Sequence, residues 1–582
     1  MKSINIRLQK AKKIALLILV AIQLSACESF LDTTPTDFSS PNTFYSTQSQ
    51  LTNALVGIYA PLLTSEVYGL AIPALQSGIT DEAFYSETQM TPNNDVALHT
   101  QSYTSYLPNK FWQQCYIGIE RANQLMENIG NAKNVDTTFV KAAYSEAKFL
   151  RAYYHFLLVQ NYGDIPLKLS ATTDATKTNV PRSPSVVVYN QIIKDMTEAE
   201  IGLPTYQSNI YSNASSRITK TSAQGILARV CLYMAGYPVM DEMKYSDAIF
   251  WAKKVKDSAL HSLFTRADTL SNVTNLIGVK LSYDSAAVTS KNPGYKNNGY
   301  SQLFVNMASN VYSTKESMWE IDASILSSTV YAYNSLLGAQ CGLVINPTVG
   351  HPIMGRSIAW DFVHQYFFDS FAKGDLRRDW AIAPYVWNYN TTTTACTKGY
   401  YPAGQSLGRA IGKWRREYEP MGSGFTTKPA WNTQINFPVI RYSDVLLMLC
   451  EAEFKVNGAT ETALDAINQV RRRAFGFDPL SPNVKVDLTA STLTLDEIQK
   501  ERSRELCFEG LRRADLIRWG IYMQRMQDVI NYDKVKGFPD GNRNIAVMSP
   551  NNAITAGNKI LLWPIPSSEV LVNQSITQNP GY

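Results

Sequence analysis

The sequence predicts a mainly α-helical protein in which tetratricopeptide-like helix pairs form a scaffold beside an irregular, loop-rich region with short strands. Three observations predict this class. Apolar residues recur at three- and four-residue spacing in several long segments, as they do in amphipathic helices. Gly and Pro follow those segments, as they commonly do at helix ends. Residues from about 261 to 431 are instead rich in Asn, Ser, Thr, Gly and Tyr, a composition typical of loops.

The helical segments follow one another as pairs separated by short breaks. The clearest segment runs from about Phe139 to Tyr162, with a single apolar stripe, and ends at Gly163 and Pro166. The segment Ser222–Met234 and the helix that follows it together fill about the 34 residues of a tetratricopeptide unit. Further helices are predicted at Phe111–Ile129, from near Tyr245, at Tyr442–Val456 and at Thr462–Ala474.

The N-terminus has the pattern of an export signal. A basic start is followed by the apolar run Ile14–Ile22, which is shorter than the roughly twenty residues that a membrane-spanning helix needs. Leu24-Ser25-Ala26-Cys27 then resembles the lipobox of bacterial lipoproteins, in which the cysteine receives the lipid. We therefore predict a lipoprotein signal peptide at residues 1–26, lipidation of Cys27 and a lipidated tether over residues 27–40.

Net charge gives no indication of a nucleic-acid partner. The chain of 582 residues has a formal charge of +5, and five basic residues with no acidic ones lie in the predicted signal peptide. The mature chain is therefore neutral, whereas nucleic-acid binding requires a basic face or stripe. No linker divides the rest, so we predict a single domain over residues 41–582, with a helical scaffold at about 41–260 and 432–582 and a ligand-facing loop region at about 261–431.

No pattern of catalytic, cofactor-binding or metal-binding residues emerges from the sequence. It contains no GxSxG, HExxH or phosphate-binding glycine loop, and its five histidines are scattered. Asp81 with Glu82, or Glu316 with Glu320, are conceivable carboxylate pairs for glycoside hydrolysis, but sequence spacing does not show that two carboxylates face one cleft. We predict no enzyme activity, no cofactor and no metal. The remaining cysteines are expected to be small buried hydrophobic residues: Cys115, Cys231, Cys341, Cys396, Cys450 and Cys507.

Several segments spread over nearly the whole chain resemble the SusD/RagB family. The strongest single match is Tyr162-Gly163-Asp164-Ile165-Pro166-Leu167, which follows Glu146-Ala147-Lys148-Phe149-Leu150-Arg151-Ala152-Tyr153-Tyr154. The others include Phe30-Leu31-Asp32, Arg121-Ala122-Asn123, Arg182-Ser183-Pro184, Lys220 to Tyr233, Arg441-Tyr442-Ser443-Asp444-Val445-Leu446-Leu447, Phe508-Glu509-Gly510, Trp519-Gly520 and the terminal Gln578-Asn579-Pro580-Gly581-Tyr582. Their order and joint presence carry the resemblance.

The charged residues of these segments also have a physical interpretation. They lie on or between otherwise apolar helices, and buried charges need partners, so we expect them to form Arg–Glu pairs between neighbouring helices rather than to catalyse a reaction. The residues concerned are Arg151, Glu451, Glu453, Arg471, Glu501, Arg502, Glu505, Glu509 and Arg512.

The resemblance implies a SusD-like fold and a surface-exposed lipoprotein of the outer membrane. It implies binding of a glycan, without chemistry, and its delivery to a SusC-like TonB-dependent transporter. Two alternatives stay open: a peptide-binding lipoprotein of a peptide uptake system, and a surface scaffold of the tetratricopeptide type.

Aromatic side chains on loops are the expected glycan-binding residues, because aromatic rings stack on the apolar faces of sugars. Trp112, Trp251 and Trp519 fall on helical stripes and are expected in the core, while Trp414 could be either. The candidates for ligand binding are Tyr85, Tyr331, Tyr333, Trp387 and Tyr389.

Overall fold

A computed structural model describes most of the chain. The described residues are 12–13, 44–86, 94–174, 179–206, 216–265, 298–323, 335–345, 351–390, 392, 396–402, 408–421, 427–536 and 543–582. Within these ranges, no helix combines the length and the apolar character that crossing a bilayer requires.

Helices dominate the described residues, which confirms the predicted fold class. They are α1 (Gln48–Tyr59), α2 (Tyr106–Asn128), α3 (Thr137–Tyr162), α4 (Ser185–Gly202), α5 (Lys220–Met234), α6 (Lys244–Asp257), α7 (Gly299–Ala308), α8 (Leu337–Gln340), α9 (Gln365–Asp369), α10 (Arg378–Ala381), α11 (Tyr442–Asn457), α12 (Glu461–Ala474), α13 (Leu495–Leu506), α14 (Arg512–Arg518), α15 (Tyr522–Lys536), α16 (Arg543–Ala556) and α17 (Ser567–Val572). The strands are β1 (Ala83–Tyr85), β2 (Ile165–Pro166), β3 (Arg182–Ser183), β4 (Ser317–Ile321), β5 (Asp361–Val363), β6 (Tyr385–Tyr389), β7 (Cys396–Tyr400) and β8 (Phe437–Arg441).

Helix α3 illustrates how local sequence sets an element. The Asp136 carboxylate caps its start by accepting hydrogen bonds from the backbone N–H groups of Thr138 (2.8 Å) and Phe139 (3.1 Å). Its end is set by Gly163, whose φ of +72° favours glycine. The helix is buried on nearly all sides, because α2 and α4 pack along it. It forms the centre of the N-terminal helical layer.

Neighbouring helices in sequence are also neighbours in space. α5 packs against α6 and α11 packs against α12, while α6 also packs against α11 and so joins the two halves of the scaffold. These are the helix pairs that the periodicity predicts, with ends within a few residues of those expected. Their specific likeness to tetratricopeptide units stays a prediction.

Two small antiparallel sheets connect the loop-rich region to the helices. β4 pairs with β8, which leads directly into α11, and β1 pairs with β5. A third, the β6–β7 hairpin, pairs Trp387 with Lys398 and Tyr385 with Tyr400. Short elements of this kind between about 261 and 431 agree with the predicted loops and short strands.

Nearly every charged residue named is paired, as predicted, although Arg151, Arg502 and Arg512 pair with Asp rather than with Glu. The Arg441 guanidinium donates from Nη1 to Glu316 (3.1 Å) and Glu505 (3.0 Å) and from Nη2 to Glu509 (2.8 Å). Removing one partner from such a network leaves an uncompensated buried charge, which costs about 3–5 kcal/mol. Glu453 differs, because it accepts a hydrogen bond from Thr460 and has no ion pair within the described part of the chain. Other pairs join Arg151 to Asp195, Arg471 to Glu501, Arg502 to Asp444 and Asp515, Arg512 to Asp81, and Arg518 to Glu451.

The predicted core residues are largely in the core. Trp112 and Trp251 are buried, Trp519 is half-buried with its indole N–H bonded to Glu451, and Trp414, left open by the sequence, is buried. The side chain of Cys396 is not described. The other predicted cysteines, Cys115, Cys231, Cys341, Cys450 and Cys507, are buried and free.

Candidate functional site

The β6–β7 hairpin carries two of the predicted ligand-binding residues. Alternate residues of a strand share a face, and directly paired residues lie on the same side of a sheet. Tyr385, Trp387 and Tyr389 of β6 therefore share one face of the hairpin with Lys398 and Tyr400 of β7. On that face the Tyr385 side chain is fully buried, whereas the side chain of Tyr400, its partner on β7, is 49% exposed.

Trp387 is held in place by buried polar groups. Its indole N–H donates to one oxygen of the Glu417 carboxylate, whose other oxygen accepts from the Tyr385 hydroxyl at 2.8 Å. The Lys398 ammonium lies 5.1 Å from the ring centroid, within the range of a cation–π contact. Trp387 is half-buried, so part of its surface reaches solvent in a fixed orientation.

Tyr389 is oriented by a histidine from a neighbouring turn. The rings of His351 and Tyr389 meet edge to face at 4.8 Å. His351 Nδ1 accepts from the backbone N–H groups of Ile353 (3.2 Å) and Met354 (3.1 Å), and burial lowers the pKa of this histidine. The imidazole is therefore neutral near pH 7, and Tyr389 is left half-buried at the edge of the hairpin.

Two further exposed aromatic residues near this hairpin were missed by sequence reasoning. Tyr400 lies on β7, and Trp431 is 40% exposed with the Arg356 guanidinium 4.2 Å above its ring. Arg416 joins the segments of Arg356 and Trp431, because its Nη1 donates to the carbonyl oxygens of Arg356 (2.7 Å) and Ala430 (2.9 Å). The Arg356 segment adjoins the hairpin through Ile345, which forms β-bridges with both Ser357 and Trp387. Both aromatic residues belong to the predicted loop region, but the pairing that exposes them could not be read from composition. We call Trp387, Tyr389, Tyr400 and Trp431, with Arg356 and Lys398, the hairpin surface.

The other predicted binding residues are not part of this surface. Tyr85 was expected to be exposed on a loop, and that expectation is wrong: it lies on β1, is 3% exposed and packs against Trp360 at 5.7 Å. Pairing of β1 with β5 closes its ring off from solvent. Tyr331, Tyr333 and the predicted lipidation residue Cys27 lie outside the described residues.

The two carboxylate pairs that could have suggested hydrolysis are engaged elsewhere. Arg512 donates to both oxygens of Asp81 at 2.7 Å, and both oxygens of Glu316 accept hydrogen bonds from Arg473. Glu82 and Glu320 are buried, which raises the pKa of each to about 7. Asp81 and Glu316 thus have no free oxygen to offer a substrate. Among the residues described, no cluster of His, Cys, Asp and Glu is suited to a metal ion.

Comparisons with known proteins agree with the resemblance in the sequence. The model of the SusD family matches residues 348–582, and a model described as "Starch-binding associating with outer membrane" matches residues 29–232. A SusD-like protein P2 of Formosa agariphila is 26% identical over 593 residues, covering 98% of this chain and all of that protein.

Solved structures share the fold. A SusD homologue from Bacteroides thetaiotaomicron superposes with a TM-score of 0.77 at 24% identity, covering 93% of this chain and 98% of its own. A laminarin-binding SusD-like protein gives a TM-score of 0.64 at 22% identity, covering 92% and 100%. The starch-binding protein SusD of Bacteroides thetaiotaomicron is 28% identical over 180 residues, which cover 31% of this chain and 27% of that protein.

Proposed function

The chain belongs to the SusD family, and from that membership we propose that it binds a glycan at the cell surface and delivers it, without chemistry, to a SusC-like TonB-dependent transporter. Glycan binding in the family supports the first half of this proposal, since relatives of this chain bind starch and laminarin. Delivery to a transporter follows from the resemblance.

The observation that carries the proposal is the hairpin surface. It presents four partly exposed aromatic side chains in one region, and two of them are fixed by buried partners, Trp387 by Glu417 and Tyr389 by His351. Rings that are already ordered lose little conformational entropy when they bind a ligand.

The buried carboxylates support binding without hydrolysis. A glycosidase needs two carboxyl groups that flank the scissile bond across a cleft. In the pair Asp81–Glu82, Asp81 is neutralised by Arg512, and in the pair Glu316–Glu320, Glu316 is bonded by Arg441 and Arg473. The same Arg–carboxylate bonds stabilise the helical core, which gives these residues a structural role.

The test is calorimetry of the full chain against a panel of storage, plant and host glycans, with peptides as a second panel. We expect one glycan to bind saturably, and Tyr400→Ala and Trp431→Ala each to weaken that binding by about tenfold or more, since exposed aromatic contacts dominate such interfaces. Tyr103→Ala is the matched control, because Tyr103 is 53% exposed outside the hairpin surface.

The contrary results are equally distinct. Saturable binding of peptides but of no glycan would replace this proposal with the peptide-uptake alternative. Glycan binding that both hairpin variants retain would remove the hairpin surface from the proposal. Release of reducing sugars during the assay would contradict binding without chemistry.

Delivery to a transporter needs a test of its own. Co-purification of a TonB-dependent barrel with the tagged chain from its own cells would support this delivery, and absence of the barrel after mild cross-linking would count against it.

A further inference from the structure

A separate cavity of about 390 Å³ lies where the ends of several scaffold helices meet the C-terminal segment. It is lined by the end of α3, the start of α4, the end of α5, helix α14 and residues 558–562 and 579–581. None of its lining residues belongs to the hairpin surface. Its volume is in the range of small-molecule sites, which run from about 300 to 1,000 Å³.

The walls of the cavity combine apolar side chains with two buried tyrosines. Val159, Ile517 and Leu561 contribute aliphatic surface. Tyr189 and Tyr233, which both contact Phe156, are only 6% and 4% exposed. A pocket with such walls accommodates a flat or ring-shaped apolar body.

Both tyrosine hydroxyl groups lack a hydrogen-bond partner in the described structure. The Tyr233 hydroxyl is fully buried and no described residue bonds it, and the Tyr189 hydroxyl makes no hydrogen bond with the described residues. Buried hydroxyl groups are normally paired, and leaving one unpaired is costly. The buried, unpaired Tyr233 hydroxyl on the wall of the cavity indicates that a polar atom of a ligand completes its hydrogen bonding, and the Tyr189 hydroxyl offers a second group for such a bond.

The charge at this cavity is positive. Arg518 and Lys559 are among its lining residues, and no Asp or Glu is. Arg518 is already neutralised by Glu451 and Asp515, and the nearby Asp164 bonds Ser185 at the start of α4. Lys559 lies 4.4 Å above the Tyr582 ring and has no carboxylate partner in the described part of the chain. Its ammonium is therefore available to an anion.

We propose that this cavity binds a small carboxylate that carries a ring, with the ring against Tyr189, Val159 and Ile517 and the carboxylate beside Lys559. The aliphatic and aromatic walls fit an aromatic acid. A hexuronic acid likewise carries a carboxylate on a ring. The cavity is separate from the hairpin surface, so a negative result for this proposal would leave the proposed function unaffected.

The test uses the purified full chain and two series of defined probes, followed by calorimetry and ligand-observed NMR. The first series is benzoate, 4-hydroxybenzoate and cinnamate, and the second is glucuronate and galacturonate. We expect at least one carboxylate to bind with a dissociation constant of about 1 mM or lower, and benzamide, which lacks the charge, to bind about tenfold more weakly or not at all. The series that binds identifies the source of the ring.

Two variants locate the binding. Lys559→Gln removes the cation, and Tyr189→Phe removes only the hydroxyl group; we expect each to weaken binding several-fold or more. Tyr189→Phe is not expected to unfold the protein, because no described residue forms a hydrogen bond with the hydroxyl group that it removes. Lys536→Gln is the matched control, since Lys536 lies 5.7 Å from the Tyr532 ring in a comparable Lys–Tyr contact away from the cavity.

Each result is decisive. Binding of a carboxylate that falls in both Lys559→Gln and Tyr189→Phe, but not in Lys536→Gln, supports the proposal. Binding that is unchanged in Lys559→Gln, or no binding by any probe up to about 10 mM, overturns it. Glycan affinity measured in parallel is expected to stay the same in all three variants, which separates this site from the hairpin surface.

Discussion

At the scale of single residues, Glu320 shows how burial controls a carboxyl group. It is 2% exposed on β4, where it accepts a hydrogen bond from the Asn436 amide at 3.0 Å and has no cation among the causes of its pKa shift. Burial, with a smaller contribution from Asp322, raises its pKa to about 7. The folded protein therefore holds a proton on Glu320 that the unfolded chain has already lost at pH 6.

This shift predicts a pH-dependent effect of Glu320→Gln. Because the folded pKa is raised, the stabilising contribution of Glu320 is complete below about pH 4 and is lost as the pH rises through about 7. The variant mimics the protonated form, so its stability relative to the native chain is expected to rise by about 2–3 kcal/mol between pH 5 and pH 8. Urea unfolding at both pH values measures this difference. Glu242→Gln, at an exposed position, is the control and should show no such trend; a flat difference for Glu320→Gln would contradict the shift.

The residue scale also shows where sequence reasoning reaches its limit. Charges in apolar helical segments must be paired, so it could be predicted that Glu505 and Arg502 each have a partner of opposite charge, although not which one. Exposure could not: Tyr85 and Tyr400 both lie in polar, aromatic-rich segments, yet one is 3% and the other 49% exposed. Tyr85 is buried where β1 pairs with the distant strand β5, whereas Tyr400 lies in a hairpin of β7 with the adjacent β6. The local sequence around Tyr85 does not contain that long-range pairing.

At the scale of elements, helix periodicity predicts more than any other signal. The predicted segment Tyr442–Val456 is observed as α11 (Tyr442–Asn457), and Thr462–Ala474 as α12 (Glu461–Ala474). Both helices bury a face against neighbours, and that face is the origin of the apolar stripe. The short strands were not located individually, since β2 and β3 have only two residues each and no detectable alternation.

Close packing between α2 and α3 predicts opposite outcomes for two glycines. A Cβ atom on Gly118 would lie 2.1 Å from the ring of Tyr154, which cannot rotate away because it is buried and donates to the Ile58 carbonyl oxygen at 2.6 Å. Gly118→Ala is therefore expected to destabilise the fold by about 2–3 kcal/mol. Gly57 in α1 has nothing within 4 Å of its Cβ position, so Gly57→Ala should stabilise by about 0.5–1 kcal/mol through helix propensity.

The measurement is the midpoint of denaturant unfolding for both variants at one pH. A similar change in the two proteins would show that helix propensity, rather than contact with Tyr154, governs both sites. A large loss in Gly118→Ala alone would establish that α2 and α3 approach as closely as the structure describes. The pair is a matched test, since each change adds one methyl group to a helical glycine.

At the scale of the whole molecule, the fold and the cellular location follow from different parts of the chain. The helical scaffold and its charge pairs lie within residues 44–582, whereas the predicted attachment to the membrane depends on the lipobox before them. The described helices include none that could cross a bilayer. We predict that a covalent lipid at Cys27 holds the protein at the outer membrane and that the binding region does not depend on this lipid.

Replacing Cys27 is accordingly expected to separate location from binding. Acyl chains anchor a protein because each buried methylene contributes about 0.8 kcal/mol, and more than one chain is needed for stable attachment. With an ordinary secretory signal in place of residues 1–26, Cys27→Ala should incorporate no labelled palmitate and should leave the membrane fraction, while the native chain sediments with the outer membrane. Its affinity for the glycan should equal that of the native chain, because Cys27 precedes the described domain.

Ser29→Ala is the control for Cys27→Ala, since it alters the same segment without removing the thiol. Retention of label or of membrane association by Cys27→Ala would place the attachment elsewhere, and a loss of glycan affinity would mean that the tether contributes to the binding site.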